Sequence, residues 1–230
     1  MIYIKMTLKE RYKRVIEYFI HNMPVAETEL TYMNPFQLIV AVILSAQCTD
    51  KRVNMITPAL LERFPDAESM AMASQEEIFE YIKSCSYPNN KAKHLSGMAR
   101  MLAGEFKGVV PSDPLLLQKL PGVGRKTAHV IASVVYRKPV LAVDTHVFRV
   151  SGRIGLTLNA KTPMNAEKQL IKHIPAHLIH KAHHWLLLHG RYVCKARNPL
   201  CNQCGISGFC KYYTRQNKNK QNVNIKHPIA

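Results

Sequence analysis

Four of the six cysteines, Cys194, Cys201, Cys204 and Cys210, fall within seventeen residues in the spacing C-x6-C-x2-C-x5-C. Thiolates this dense suit the corners of a metal site, and a chain read as cytosolic gains little from disulfides. Structural zinc sites usually pair two C-x-x-C knuckles, whereas this run contains one. The spacing therefore favours an iron–sulfur centre, with four-thiolate zinc as the alternative. Cys48 and Cys85 stand apart and read as small buried hydrophobes. Between the first two clustered cysteines lies Lys195-Ala196-Arg197-Asn198-Pro199-Leu200, a short arc braced at either end. Lys195 and Arg197 on such an arc can present charge rigidly to a phosphate, the other reading being a solvated loop.

A second constellation is Leu120-Pro121-Gly122-Val123-Gly124-Arg125-Lys126-Thr127. Gly122 and Gly124 flank Val123 where the chain must turn, and bare backbone lets N–H groups approach an oxyanion such as one DNA phosphate. A nucleotide-binding P-loop is excluded, because the four-residue spacer before Gly-Lys is missing. Lys126 falls in the first turn of the next helix, where the positive end of the macrodipole disfavours an ammonium. A neutral, partly desolvated amine there is a nucleophile that can attack a sugar carbon and form a Schiff base; a charged lysine that only grips phosphate is the alternative. The third constellation is Ala142-Val143-Asp144-Thr145-His146-Val147-Phe148-Arg149. Asp144 sits between an apolar run and a helical stripe, so it reads as an N-cap worth about 1 kcal/mol. A carboxylate held rigidly beside an apolar wall can also stabilise a developing sugar cation or take a proton from an amine.

The elements that position these residues follow a helical period. Leu8, Tyr12, Val15, Ile16, Phe19 and Ile20 form one stripe of an amphipathic helix. A second helix starts at Asn34-Pro35 and reads as a core helix through Phe36 to Leu44. Val53, Ile56, Leu60 and Leu61 mark a third, ended by Phe64-Pro65-Asp66. Further helices are expected at about 74–83, 90–105, 113–119, 125–136, 145–153, 163–173 and 179–193. Val140 to Val143 has strand-like content, but Pro139 and Asp144-Thr145 around it fit a helix entry better. No sustained alternation and no solenoid repeat are found, so the expected class is all-α.

Charge narrows the partner. Lys and Arg number 32 against 15 Asp and Glu, a net +17 with pI near 9.8. Residues 211–230 contain five of the cations (Lys211, Arg215, Lys218, Lys220, Lys226) and no acid, so residues 1–210 retain +12. The body itself is basic, which favours nucleic acid or an anionic membrane surface, a solubility surplus or a ribosomal association being the bland reading. The longest largely apolar run, Leu38 to Ala46, is too short to span a bilayer, and Met1-Ile2-Tyr3-Ile4-Lys5 lacks the pattern of a signal peptide. A cytoplasmic, nucleoid-associated protein without membrane attachment is expected. The Asn-, Lys- and Gln-rich stretch from Asn217 to Asn224 reads as a frayed tail.

Taken in order, Leu44-Ser45-Ala46-Gln47 with Thr49-Asp50, Leu120–Thr127, Val143-Asp144-Thr145-His146, His189-Gly190-Arg191 and the four cysteines resemble the endonuclease III family of helix-hairpin-helix DNA glycosylases, from about residue 28 to 210. The resemblance implies a two-lobed helical fold. One six-helix lobe, 28–138, would contain the helix-hairpin-helix; residues 1–27 and 139–212 would form the second lobe with a [4Fe-4S] cluster on Cys194, Cys201, Cys204 and Cys210. Residues 213–230 would be a basic flexible tail, and DNA would cross between the lobes.

By the same resemblance Lys126 is the nucleophile that attacks C1′ of a damaged nucleotide and Asp144 the carboxylate that assists. β-Elimination through the Schiff base then nicks the strand on the 3′ side, and oxidised pyrimidines are the expected lesions. The partner is duplex DNA with a damaged base or abasic site, bound by a monomer. The nucleotide must leave the stack to be reached. The family fills the gap with a glutamine, matched by Gln47, and an apolar wedge from a loop that here reads Ser86-Tyr87-Pro88-Asn89 rather than Gly-Leu-Tyr-Asn. Tyr87 is therefore the wedge candidate. Leu120, Gly122, Val123, Gly124, Thr127, His146, Lys195 and Arg197 complete the expected DNA contacts. The competing expectations are a mismatch-specific adenine or thymine glycosylase, in which Lys126 would normally be another residue, and a non-catalytic protein that binds damaged DNA.

Overall fold

The structure, a computed structural model, describes residues 6–217. All regular elements among them are helices, and the chain divides into two compact units, Thr28–Lys138 and Met1–Glu27 with Pro139–Ala230.

The Thr28–Lys138 unit holds α2 (Pro35–Ser45), α3 (Asp50–Arg63), α4 (Ala67–Met72), α5 (Gln75–Ile82), α6 (Pro88–Glu105), α7 (Pro114–Leu117) and α8 (Arg125–Tyr136). That makes seven helical stretches where six were expected. The unforeseen one is α4, six residues long, too short for a periodic stripe and marked only by the Asp66–Ser69 capping box. Local signals set most other starts. Asn34 Oδ1 accepts from the Gln37 N–H at 2.9 Å with Pro35 at the first position of α2, and Thr49 and Ser74 cap α3 and α5 in the same way. Because α2 is apolar all round it is buried from Leu38 through Leu44, packing on α3 and α8. Helices α4 and α5 pack on α6, whose Leu95, Met98 and Leu102 are fully buried.

The other unit holds α1 (Leu8–Asn22), α9 (Thr145–Ile154), α10 (Pro163–His173) and α11 (Ile179–Tyr192), with the cysteine segment after α11. Its core joins Tyr12, Val15 and Phe19 of α1 to Val147, Val150 and Ile154 of α9, Trp185 and Leu186 of α11, and Ile206 and Cys210. Phe19 stacks on Trp185 with ring centroids 5.7 Å apart, and Trp185 Nε1 donates to the Met23 carbonyl at 2.8 Å. The expected α1 stripe is corrected at one end: Ile20 is exposed and Arg11 is buried in its stead. The Arg11 guanidinium donates to the carbonyls of Ile154 and Phe209, so it ties α1 to the end of α9 and to the cysteine segment.

The Val140–Val143 stretch is neither strand nor helix and leads into α9. The expectation of a flexible tail is corrected over residues 213–217. Residues 211–217 are helical, Tyr212 and Tyr213 pack on the core, and the Thr214 N–H donates to the Cys210 carbonyl at 3.1 Å. Aromatic residues at the start of that segment anchor it. The readings of residues 1–5 and 218–230 lie outside the described residues.

Candidate active site and cluster loop

In the Thr28–Lys138 unit, α6 organises three loops. At its N-terminus Tyr87 is left-handed, φ 55°, and 62% exposed. One turn on, the buried Lys91 donates from Nζ to the carbonyls of Leu44 and Ala46, both at 2.8 Å, so a cation closes the C-terminal end of α2 and fixes the exit to Gln47. Gln47 is also left-handed, φ 54°, and exposed, and Ser86 Oγ donates to its carbonyl at 2.7 Å. The two loops expected to fill a gap in DNA are thus tied together at their bases with both tips outward. Three and six residues beyond Lys91, His94 and Gly97 receive the turn after α7.

That turn runs from Gln118 to Gly124 and is tight because its apolar residues point inward: Leu120 and Val123 are buried, with the Val123 N–H donating to the Leu120 carbonyl at 3.0 Å. Their side chains are therefore withdrawn from the surface, where the DNA contacts were expected. Gly122 has φ 78°, and a Cβ there would meet His94 Cβ at 2.8 Å; on the other face of the turn, Pro121 lies 3.1 Å from a Cβ built on Gly97. Both the sign of φ and the lack of space require glycine at 122. Gly122→Ala is expected to cost about 1–3 kcal/mol, read as a lowered midpoint in thermal unfolding; an unchanged midpoint would show that His94 moves aside freely.

Gly124 is the N-cap of α8 and supplies no side-chain hydrogen bond, unlike Thr7, Asn34, Thr49, Asp66, Ser74, Asp144 and Thr162 on their helices. The first turn of α8 lies at the positive end of that helix's dipole. Lys126 is the second residue of this helix and is exposed, and Thr127 beside it is half-buried. The partial desolvation expected of Lys126 is not a property of the free protein; its place at the positive helix end is.

In the other unit Asp144 is the N-cap of α9, half-buried, with Oδ1 accepting from the Val147 N–H at 2.8 Å. One oxygen thus orients the carboxylate on the backbone, beside buried Leu141 and Ala142 in sequence. His146 and Arg149 follow on the helix. Arg149 donates to the Gly190 carbonyl at 2.9 Å and the Cys194 carbonyl at 3.2 Å, and its Nη2 lies 3.2 Å from His146 Nδ1. A Cβ on Gly190 would meet Val150 at 2.9 Å and His146 at 3.0 Å, so the Gly190 position lets α11 and α9 touch.

Cys194, Cys201, Cys204 and Cys210 line one cavity with Ile154, His189, Val193, Leu200 and Ile206. Among the described residues no three His, Cys, Asp or Glu side chains form a set for a single metal ion. All four cysteines border the same space. Their chemistry calls for positive charge: burial first, then repulsion from neighbouring sulfurs, pushes the Cys204 thiol up to about 11, against a backbone hydrogen bond from Ile206. Two donors reach the sulfurs. Arg153 Nη1 lies 3.6 Å from Cys194 Sγ, and His189 Nε2 lies 3.6 Å from Cys204 Sγ. Burial pushes His189 down to about 4, so the imidazole is neutral and can donate from Nε2. Arg153 also donates to the carbonyls of Lys195 at 2.7 Å and Ala196 at 3.0 Å and stacks over Tyr212 at 4.6 Å. The arc with exposed Lys195 and Arg197 is therefore fixed from inside, Asn198 turning it with φ 49°.

Sequence reasoning gave no role to Lys91, Arg149 or Arg153. Each acts through carbonyls distant in the chain, and no local pattern marks that.

Residues 40–176 match the HhH-GPD superfamily base excision DNA repair protein, and residues 194–210 match the iron-sulfur binding domain of endonuclease III. Endonuclease III of Rickettsia conorii is 46% identical over 200 residues, 87% of this chain and 95% of that protein. Endonuclease III of Bacillus subtilis is 42% identical over 195 residues, 85% of this chain and 89% of that protein. A trapped endonuclease III–DNA covalent intermediate, in an estranged-adenine complex, superposes with a TM-score of 0.86 at 38% identity, covering 92% of this chain and 99% of that one. The cofactor is accordingly a [4Fe-4S] cluster. With a helical fold, a helix that starts on a glycine turn and a cysteine-lined cavity on one chain, the protein belongs to the endonuclease III family of base excision repair DNA glycosylases and lyases.

Proposed function

We propose that this enzyme removes oxidised pyrimidines from duplex DNA and nicks the strand 3′ to the resulting abasic site. The observation that carries the reading is Lys126 in the first turn of a helix that starts directly after the Gly122–Gly124 turn, on a chain 38% identical to an endonuclease III that was trapped covalently on DNA. The α8 N-terminus and the backbone of Gly122–Gly124 hold one phosphate, which brings a sugar to the amine. Lys126 Nζ attacks C1′ as the glycosidic bond breaks and the base leaves with the bonding pair. Asp144 stabilises the positive charge that builds on the sugar and takes the proton the amine loses. Ring opening gives the iminium, a C2′ proton is lost, and the C3′–O bond breaks. Gln47 and Tyr87 fill the gap left by the extruded nucleotide.

We assign the cluster to Cys194, Cys201, Cys204 and Cys210, where it would supply one-electron exchange and positive charge. Excision and elimination move no net electron, so its part here is to hold the Lys195–Leu200 arc against a phosphate. The DNA reading places the enzyme on the nucleoid, where it would act as a monomer; among the described residues no helix is long and apolar enough to cross a membrane. Lys126 favours the lyase over a mismatch-specific or non-catalytic binder.

Incubation with a duplex bearing one thymine glycol tests the reading: the strand is expected to be cut 3′ to the lesion, and borohydride to trap protein on it. An uncut duplex and no adduct would overturn it. The phosphate role of the arc has its own readout. Removing both Lys195 and Arg197 as alanines is expected to reduce the slope of log K against log salt by about 2. A slope equal to the parent's would take the arc off the DNA.

A further inference from the structure

We infer that Cys48 and Cys85 form a modification site, a thiol pair that a low-molecular-weight disulfide of the glutathione class converts reversibly into a cross-link, fixing the Gln47 and Tyr87 loops to each other. Their sulfurs lie 3.7 Å apart, neither cysteine belongs to the cluster set, and both are free thiols. Joining them at about 2.0 Å needs the sulfurs to close by roughly 1.7 Å, a shift that side-chain rotation and slight loop movement supply.

The two thiols differ in access. Cys48 is half-buried, whereas Cys85 is 5% exposed. Burial first, and then the hydrogen bond and charge of Cys48, push Cys85 up to about 11, against the pull of Lys91 and Arg52. Cys85 therefore waits as the thiol in contact with Cys48, and the more accessible Cys48 is the sulfur that meets the oxidant. The thiolate of Cys48 attacks one sulfur of RSSR and releases RS⁻. This RS⁻ takes the Cys85 proton, and Cys85 then attacks the Cys48 sulfur and expels the second group from the oxidant as a thiolate. The second thiolate takes from water the proton that Cys48 gave up on forming its thiolate, so two protein thiols are oxidised and one RSSR is reduced to two RSH.

Position gives the cross-link its consequence. Cys48 follows Gln47 and Cys85 precedes Ser86, whose Oγ already donates to the Gln47 carbonyl at 2.7 Å. The new bond would draw together two loops whose tips are both left-handed and exposed. The effect on DNA rests on the reading of Gln47 and Tyr87 as the residues that fill the gap. A shift of an ångström or more at such tips is expected to weaken lesion binding by about tenfold.

The full-length, cluster-containing protein is equilibrated with glutathione disulfide, digested without reduction and mapped by mass spectrometry; binding to a duplex with a tetrahydrofuran abasic analogue is measured in parallel. Expected are a linked Cys48–Cys85 peptide, binding about tenfold weaker than in the reduced protein, recovery with dithiothreitol, unchanged cluster absorbance, and none of these changes in Cys48→Ser. No linked peptide, or a linked peptide with binding within twofold of the reduced protein, overturns the inference. Gln47→Ala in the reduced protein separates the two readings. If it binds like the parent, the gap-filling role fails whatever the map shows; if it binds poorly while no cross-link forms, that role stands and the thiol pair is inert.

Discussion

Replacing Lys126 with glutamine is expected to abolish borohydride trapping and to lower strand nicking by on the order of 10⁴-fold or more, because the bond to C1′ then has no nucleophile. The change should touch little else. Lys126 is exposed on the first turn of α8, and glutamine is a good helix former, so the unfolding midpoint and the visible absorbance of the cluster should match the parent. Binding to an abasic analogue should persist, since the α8 N-terminus and the Gly122–Gly124 backbone supply their contacts without that side chain. An exposed amine is solvated in the free protein, so the water exclusion that makes it a good nucleophile has to come with the DNA. Trapping should accordingly be slow on a free deoxyribose and fast on a duplex. A Lys126→Gln protein that still forms an adduct would move the nucleophile elsewhere.

Much of this site could be read before any fold was known, because its signals are local. A cap residue acts within three positions, a glycine turn within two, and a thiolate set within seventeen, so Asp144 at the start of α9, the turn before α8 and the cysteine cavity all stand where their spacing puts them. Helices with a full stripe were equally legible. What stayed hidden depends on partners far along the chain. Lys91 reads as one more cation of a basic protein until α2 ends above it and offers two carbonyls. Arg153 reads as a surface residue on α9 until the cysteine segment folds over it, and Arg11 interrupts an apolar stripe because two carbonyls from that segment meet it. Tyr87 was found as a wedge candidate only through the resemblance of its loop to the family's wedge loop. Its left-handed backbone, unusual for a large side chain, follows from closing the turn between α5 and the Pro88 start of α6, which no period in the sequence reports.

Asp144 permits a cleaner separation of chemistry from folding than most carboxylates do. Its Oδ1 caps α9 through the Val147 N–H at 2.8 Å, and asparagine caps a helix about as well as aspartate. Asp144→Asn should therefore keep the helix start, and with it the Val147 and Val150 core contacts, while it removes the charge that steadies the sugar cation and the base that accepts the amine proton. Excision is expected to fall by about 10²–10⁴-fold with the unfolding midpoint within a degree or two of the parent. Asp144→Ala should show the same kinetic loss plus a stability loss of about 1 kcal/mol, since the Val147 N–H then loses its acceptor. The kinetic loss should also divide unevenly between substrates. On a duplex that already carries an abasic site no glycosidic bond has to break, so the cation-stabilising part of the role is not needed and the defect should be smaller than on thymine glycol. Equal defects on the two substrates would place the work of Asp144 in proton transfer to and from Lys126, and a defect that tracks the unfolding midpoint across Asn and Ala would reduce Asp144 to a helix cap.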